Sequence, residues 1–173
     1  MASLEERVAQ LEATVANLND HIAIRQVIAS YGPTVDTADC TERALKLADL
    51  WTQDGVYDIG GFKRHTGRAD VASAFEGMHF EMIPEGCAHF MGLPIVQVDG
   101  DAATAISYSA VFRPETDGEH YYPWRISCNL WTFARVDGRW QIAARVNRLM
   151  RGDKDTIDML RVIDTIKAEA QPK

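Results

Sequence analysis

Two Asp-Gly dipeptides, each placed between long strand-like segments, set the strongest limit on the fold of this chain. Asp99-Gly100 separates residues 89–98 from 103–112, and Asp137-Gly138 separates residues 124–136 from 140–150. Asp-Gly favours the tight turns that join neighbouring antiparallel strands. The second half of the chain therefore predicts a sheet of long, mainly antiparallel strands.

The first half of the chain has helical periodicity instead. Leu4, Val8, Leu11, Val15 and Leu18 recur every three or four positions, which predicts an N-terminal helix over residues 3–19. Two heptads are too few for a lasting coiled coil, so we expect this helix to pack on its own domain or on a neighbouring subunit.

A second apolar set begins after a possible cap at Asn19 and Asp20. Gly32-Pro33 is expected to end or kink the helix that carries it, because proline lacks the amide donor and clashes with the preceding turn.

Shorter elements complete the predicted fold. They are a helix from Thr41 to about Trp51, a strand over 55–61, a polar loop over 62–68, a helix over 69–78 and a peripheral C-terminal helix over 154–168. Helices followed by long strands predict an α+β fold, with the helices on one face of a strongly curved, mixed or antiparallel sheet. We predict one domain over residues 1–173, shaped as a cone whose open end is a natural ligand site.

Composition and charge limit the partners, location and cofactors that we expect for this chain. The formal net charge of −7 disfavours nucleic acid as a partner, and no apolar run approaches the roughly 20 residues of a membrane span. The N-terminus lacks the pattern of a secretory signal, and three cysteines without metal-site spacing predict buried thiols in a reducing compartment. We therefore expect a cytoplasmic protein without a metal or other cofactor.

Several segments together resemble the nuclear-transport-factor-2-like superfamily, in particular its SnoaL-like branch. The resemblance spans roughly residues 2–150 and rests on LEERVAQLE near the start, IRQVIASYGPTVDTAD (24–39), LWTQDGVYD (50–58), CAHFMGLPIVQVDGD (87–101) and FARVDGRWQIAARVNR (133–148). The branch includes scytalone dehydratase, hexachlorocyclohexane dehydrochlorinase and the bile acid dehydratases. The resemblance implies a cone-shaped barrel with helices packed on a curved sheet, and a homo-oligomer, either a trimer or a dimer.

Three positions are similar to the catalytic pattern of that branch. Asp36 matches its pocket carboxylate, His89 its catalytic histidine, and Tyr31 the tyrosine of the bile acid dehydratases. Its arginine matches either Arg145 or Arg148, and because these are three apart on a strand, only one of them can line the pocket. The bile acid enzymes also carry an aspartate on the strand that here reads SYSAVF (107–112), where this chain has none.

An Asp–His pair suits removal of a proton from carbon, because the carboxylate fixes the tautomer of the imidazole and stabilises its charged form. This predicts a cofactor-independent lyase, most simply a dehydratase, acting on a small apolar, cyclic or steroid-like substrate. Tyr57, Tyr108 and Trp124 are candidates to line its pocket. An isomerase or cyclase with the same pair, and a non-catalytic ligand-binding protein, are the alternatives. Two simpler roles for single residues also stay open. Asp36 could cap a turn, and His89 could be a buried core histidine.

Overall fold

The structure is a computed structural model that describes residues 2–60 and 62–170, with side chains up to residue 166. Its helices are α1 (Leu4–Asp36), α2 (Thr41–Ala48), α3 (Arg68–Ser73), α4 (Met78–Glu85), α5 (Lys154–Leu160) and α6 (Val162–Ala170). Its strands are β1 (Trp51–Ile59), β2 (Lys63–Thr66), β3 (Ala88–Met91), β4 (Ile95–Asp99), β5 (Ala102–Pro114), β6 (Tyr121–Val136) and β7 (Arg139–Leu149).

The strands form one sheet in the order β2-β1-β7-β6-β5-β3, with β4 also paired to β5. Only the β1–β7 pairing is parallel among the strands described, so the sheet is mixed. Register shifts interrupt β5–β6 near Val111 and β6–β7 near Thr132, and such irregularities bend long strands. The predicted α+β fold, with helices packed on a curved sheet, is confirmed.

Both Asp-Gly turns join hairpins as predicted, β4 to β5 and β6 to β7. Asp137 and Gly138 both have positive φ, 49° and 75°, which is the conformation that a two-residue turn of type I′ requires. This turn sets the register of β6 with β7 as far as Phe133 and Ile142. A shift of one residue beyond that point places Asn129 opposite Asn147, and Trp131 opposite Arg145.

The N-terminal region is one helix rather than the two predicted. A capping box between Ser3 and Glu6 begins α1, which then continues through Gly32 and Pro33 to Asp36. Pro33 is exposed and stands in the last turn, so the loss of one amide donor does not end the helix. The buried face that holds this part of α1 to the sheet consists of Ile24, Ile28, Tyr31 and Val35.

The first half of α1 extends beyond this packed region. Its predicted apolar stripe does not pack on the chain's own core, because Leu4, Val8, Leu11, Val15 and Leu18 are all exposed. That a neighbouring subunit covers these side chains stays a prediction.

Other boundaries also differ from the predictions. The predicted polar loop at 62–68 contains β2, which pairs with β1, and the region predicted as one helix over 69–78 spans α3 and the start of α4. The C-terminal helix is broken into α5 and α6 at Arg161. No helix in the part of the chain that the structure describes is long and apolar enough to cross a membrane.

A glycine on α1 fixes the distance between this helix and the sheet. A Cβ atom at Gly32 would lie 2.0 Å from the backbone oxygen of His89, on β3. Only glycine allows the two backbones to approach this closely. The last turn of α1, which ends at Asp36, is thereby held against β3.

Candidate active site

Asp36 and His89 lie in contact where α1 ends against β3. Asp36 Oδ1 is 2.6 Å from His89 Nδ1, and Asp36 Oδ2 accepts a hydrogen bond from the backbone N–H of His89 at 2.9 Å. The side chain of His89 is 18% exposed and that of Asp36 is 24% exposed, so the pair is mostly buried but still accessible to small molecules. The carboxylate can only accept, which assigns the proton between them to Nδ1. His89 Nε2 is then the ring atom left to accept a proton.

A cavity of about 340 Å³ lies beside this pair, between the curved sheet and α3–α4. His89 is part of its wall, whereas Asp36 stands behind the imidazole. Much of the remaining wall is aromatic and comes from Tyr31, Tyr57, Phe75 and Trp124. The volume is at the lower end of the range for small-molecule pockets, and an aromatic wall suits a flat apolar ring.

The structure brings together most of the residues singled out from the sequence. His89, Tyr31, Tyr57, Trp124 and Arg145 line the cavity. Trp124 and Arg125 both border the cavity although they are consecutive on β6, because the register of β6 with β5 shifts at this point and leaves Trp124 without a partner on β5.

Two residues predicted to contact substrate lie elsewhere. Tyr108 is 53% exposed on the outer face of the sheet, because its neighbours Ser107 and Ser109 take the inward positions on β5. Arg148 also lies outside the cavity and is paired with Asp58, with nitrogen–oxygen distances of 2.8 and 3.2 Å. The expectation that Tyr108 lines the pocket is wrong, and of the two arginines it is Arg145 that faces the cavity.

Arg145 is almost completely buried, with 3% of its surface exposed. Its Nε and Nη2 donate to Asn129 Oδ1 at 3.0 and 2.8 Å. The guanidinium carbon lies 4.2 Å from the ring centre of Tyr31, 4.5 Å from Trp131 and 5.0 Å from Tyr57. Three aromatic faces therefore enclose a positive charge in the cavity wall.

His79 is a site residue that the sequence did not reveal. It lies in the first turn of α4, lines the cavity and places its ring 5.5 Å from that of His89. Its Nε2 is 3.0 Å from the carbonyl oxygen of Val35, so Nε2 carries the proton and Nδ1 is left as an acceptor. The contact joins residues 44 apart in sequence, and no local pattern announces it.

His65 is a second such residue. It was expected in an exposed polar loop, but it lies on β2, is buried and lines the cavity. Its Nδ1 contacts the backbone oxygen of Asp70 at 2.8 Å, which ties β2 to α3. The alternation of side chains along β2 could have predicted its burial, since His65 is the single buried residue of the four in this strand.

Burial changes the acid–base properties of three groups around the pair. It raises the pKa of Tyr31 well above its usual value, against the effect of the nearby positive charge of Arg145. Burial lowers the pKa of His79 and, together with the charge of Asp36, raises the pKa of Cys87 to about 11. Tyr31 and Cys87 are therefore protonated near neutral pH and His79 is uncharged.

Asp36, Cys87 and His89 are also the one group of potential metal ligands found among the described residues, with ligand atoms within 4.8 Å of one another. A metal requires the thiolate, which the raised pKa of Cys87 disfavours. Both Asp36 oxygens already accept hydrogen bonds from His89. The arrangement suits proton transfer better than metal binding.

Fold and cavity together define a class of small α+β proteins that enclose a small-molecule site between helices and a curved sheet. Within that class, the chain belongs to the SnoaL-like domain family, whose profile matches residues 16–146. No curated protein sequence matches the chain.

Solved structures agree with this assignment. An NTF2-like protein with a cystatin-like fold from Novosphingobium aromaticivorans is 37% identical, with a TM-score of 0.80, and the match covers 92% of this chain and 98% of that one. A function-unknown protein from Mycobacterium tuberculosis is 22% identical, with a TM-score of 0.68 over 91% of this chain and 92% of that one.

A protein from Novosphingobium aromaticivorans that is provisionally described as a scytalone dehydratase is 21% identical to this chain. Its TM-score is 0.64, and the match covers 79% of this chain and 88% of that one. At these identities the last two structures bear on the fold alone.

Proposed function

We propose that this protein is a cofactor-independent lyase that removes water from a small, hydroxylated cyclic molecule. The observation that carries the proposal is the 2.6 Å contact between Asp36 and His89 beside the cavity of about 340 Å³. Membership of the SnoaL-like family supports it, and a protein provisionally described as a scytalone dehydratase shares the fold. The proposal retains a cytoplasmic location and a homo-oligomer as expectations.

In the proposed reaction, His89 Nε2 takes a proton from the carbon next to a carbonyl. The electrons of that C–H bond form a carbon–carbon double bond as the C–O bond to the hydroxyl group breaks. Asp36 stabilises the imidazolium that forms, in the manner of the carboxylate in a catalytic triad. The imidazolium then gives its proton to the departing hydroxide, so water leaves and His89 returns to its neutral form.

Tyr31 is proposed to hold the carbonyl oxygen of the substrate. Because burial raises its pKa, Tyr31 keeps its proton and serves as a hydrogen-bond donor rather than as an acid. Donation to the carbonyl oxygen stabilises the negative charge that develops there as the proton leaves the carbon.

Replacing His89 with glutamine tests the proposal. The assay follows the absorbance of the conjugated ketone formed from a panel of cyclic β-hydroxyketones. Loss of the base should lower turnover by about 10²- to 10⁴-fold while the circular dichroism spectrum stays the same. Unchanged turnover in the folded His89→Gln variant contradicts the proposal.

The chain offers a matched control for this substitution. His120 and Asp117 form a pair with the same 2.6 Å distance, but the pair is exposed on the surface, with the histidine side chain 73% accessible. His120→Gln removes an equivalent hydrogen bond away from the cavity. It should leave turnover within about twofold of the wild type, since isolated surface pairs contribute little.

Double-bond isomerisation is a second candidate, because β5 supplies no acid to assist a leaving group. The cavity wall there consists of Ser109, Ala110 and Val111, which carry no carboxylate. Both reactions begin with proton removal, so cyclic ketones incubated in D₂O should gain deuterium next to the carbonyl. A shifted double bond without loss of water identifies the isomerase, and binding without exchange identifies a non-catalytic binding protein.

A further inference from the structure

Arg145 places a buried positive charge in the cavity wall, and one of its guanidinium nitrogens makes no hydrogen bond to the described residues. Its Nη1 is buried and has no hydrogen-bond partner among the described residues. The acceptor that Arg145 does use is shared, because Asn129 Oδ1 receives Nε and Nη2 of Arg145 and also Nδ2 of Asn147 at 2.9 Å. A buried N–H without a partner costs more than an average hydrogen bond gains, and the cost is larger on a charged group.

The charge on Arg145 is not balanced by a carboxylate either. None of the ion pairs found in the described part of the chain includes Arg145. The faces of Tyr31, Tyr57 and Trp131 offset part of the desolvation. They carry no formal charge, however, and buried charges in proteins are normally paired.

A second cation without an ion pair among the described residues lines the same cavity. Arg125 is half-buried on β6 and stacks over Phe62 and Trp124, with 5.1 and 5.8 Å from its guanidinium carbon to the ring centres. Glu76 is the one carboxylate among the described lining residues. Among the described residues, neither arginine forms an ion pair with Glu76 or with Asp36, which contacts His89 instead. Positive charge therefore faces the cavity at both arginines, and a positive concave surface attracts anions.

We propose that the substrate of this site carries a carboxylate, which Arg145 Nη1 binds. This inference rests on the proposed function, because it names the class of substrate for the same cavity: a small aromatic or alicyclic carboxylic acid. The single charge of a carboxylate matches the single unpaired charge of the guanidinium, whereas a phosphate dianion carries nearly twice that charge. The ring of such an acid would lie against the aromatic wall, within reach of His89.

A carboxylate fits this position better than a charge that forms only during the reaction. The unused donor and the unpaired charge belong to the resting protein, so they are satisfied only by an anion that is present when the substrate binds. A transient enolate leaves Arg145 unpaired for most of the catalytic cycle.

The test compares naphthoate with naphthamide, two ligands of the same shape that differ in charge. Isothermal titration calorimetry on the wild-type protein should give about 10- to 100-fold tighter binding of naphthoate, as for a charge-assisted hydrogen bond. Arg145→Gln should abolish this preference. Arg148→Gln is the matched control, because Arg148 lies three residues further along β7 and is paired with Asp58 outside the cavity.

Arg145→Gln could unfold the protein, since the side chain packs on three rings. The wild type alone then decides: in ¹⁵N-resolved spectra, naphthoate should shift the guanidinium resonance of Arg145, and naphthamide should not. Three results would overturn the inference. The wild type could bind the two ligands equally, the folded wild type could fail to bind naphthoate, or the preference for naphthoate could survive in Arg145→Gln.

These measurements are independent of turnover. His89→Gln keeps Arg145 and should therefore keep the preference for naphthoate, even though it removes the proposed base. Unchanged turnover in His89→Gln, with the preference for naphthoate intact, contradicts only the proposed function. Lost turnover in His89→Gln, with equal affinity of the wild type for naphthoate and naphthamide, contradicts only the carboxylate.

Discussion

At the scale of single residues, Asp36 makes two hydrogen bonds to His89, and they constrain different things. The bond from the backbone N–H positions β3, whereas the bond from Nδ1 sets the tautomer of the imidazole. An asparagine in this place keeps one acceptor oxygen and replaces the other with an NH₂ group. If the oxygen accepts the backbone N–H, the NH₂ group faces Nδ1 and favours the tautomer that is protonated at Nε2.

We therefore predict that Asp36→Asn lowers turnover by about 10²- to 10⁴-fold, because the imidazole can no longer accept a proton at Nε2. The nitrogen chemical shifts of His89 should report the changed tautomer. Asp117→Asn, in the surface pair with His120, is the control and should have no effect on turnover. Near-normal turnover in Asp36→Asn, with the proton still on Nδ1, contradicts the proposed role of the pair.

The residues that the sequence located are those carried by a recognisable motif. Asp36, His89 and Tyr31 stand in segments with a family pattern, and strand alternation required that just one of Arg145 and Arg148 face inward. Tyr108 shows how this reasoning fails, because a strand has two faces and aromatic character does not say which one is inside.

Contacts between segments that are distant in the chain could not be predicted from local sequence patterns. His79 is held by the carbonyl of Val35 on α1, and Arg145 by the amide of Asn129 on β6. The register of β6 with β7 creates the second contact. Neither spacing nor composition fixes that register to the residue.

At the scale of elements, the packing of α1 on β3 depends on Gly32. Alanine is a better helix former than glycine by about 1 kcal/mol, so substitution at an open helical site would stabilise the protein. Here the new Cβ would lie 2.0 Å from the carbonyl oxygen of His89, and the two elements must move apart.

We predict that Gly32→Ala lowers the free energy of unfolding by about 1–3 kcal/mol, the usual cost of overpacking, and lowers turnover by displacing His89 from Asp36. Urea unfolding and the elimination assay measure the two effects. Ser30→Ala, at an exposed position of the same helix, should change stability by less than about 0.5 kcal/mol. A Gly32→Ala protein as stable as the wild type would show that β3 can move freely.

Element types were predicted best where local signals were strong. The Asp-Gly turns with alternating flanks predict both hairpins correctly. Gly32-Pro33 predicts an end or a kink of the helix at that point, but α1 continues to Asp36. Proline removes one amide donor, and four buried side chains of α1 outweigh that loss. The parallel pairing of β1 with β7 has no local signal, because the two strands are about 80 residues apart.

At the scale of the whole molecule, the fold class followed from the order of the elements, and the cavity follows from the curvature of the sheet. What sequence reasoning did not supply is the set of side chains that tie α1 to the far end of the sheet. Asp20 accepts hydrogen bonds from both terminal nitrogens of Arg135 at 2.8 Å and from Trp140 Nε1 at 3.0 Å. Arg135 also stacks over Trp140, 4.3 Å from the ring centre.

This cluster makes the stability of the molecule depend on pH. The hydrogen bond from Arg135 lowers the pKa of Asp20 below its usual value, so the folded protein holds the carboxylate ionised where the unfolded chain would protonate it. A lowered pKa contributes stability above the unfolded pKa of about 3.9, and that contribution is lost as the pH falls through the folded pKa.

We predict that Asp20→Asn lowers the free energy of unfolding at pH 7 by about 1–2 kcal/mol, toward the lower end of values for charged hydrogen bonds because both partners are partly exposed. The difference between wild type and variant should be constant above about pH 5 and should shrink at more acidic pH, as Asp20 becomes protonated in the wild type. Asp39→Asn is the control, since Asp39 is 60% exposed and its one ion pair among the described residues is with Arg43, four positions along the chain. Urea unfolding between pH 3 and 8 gives the free energy of unfolding of all three proteins. If the difference between wild type and Asp20→Asn stays constant down to pH 3, Asp20 stabilises the fold without its charge.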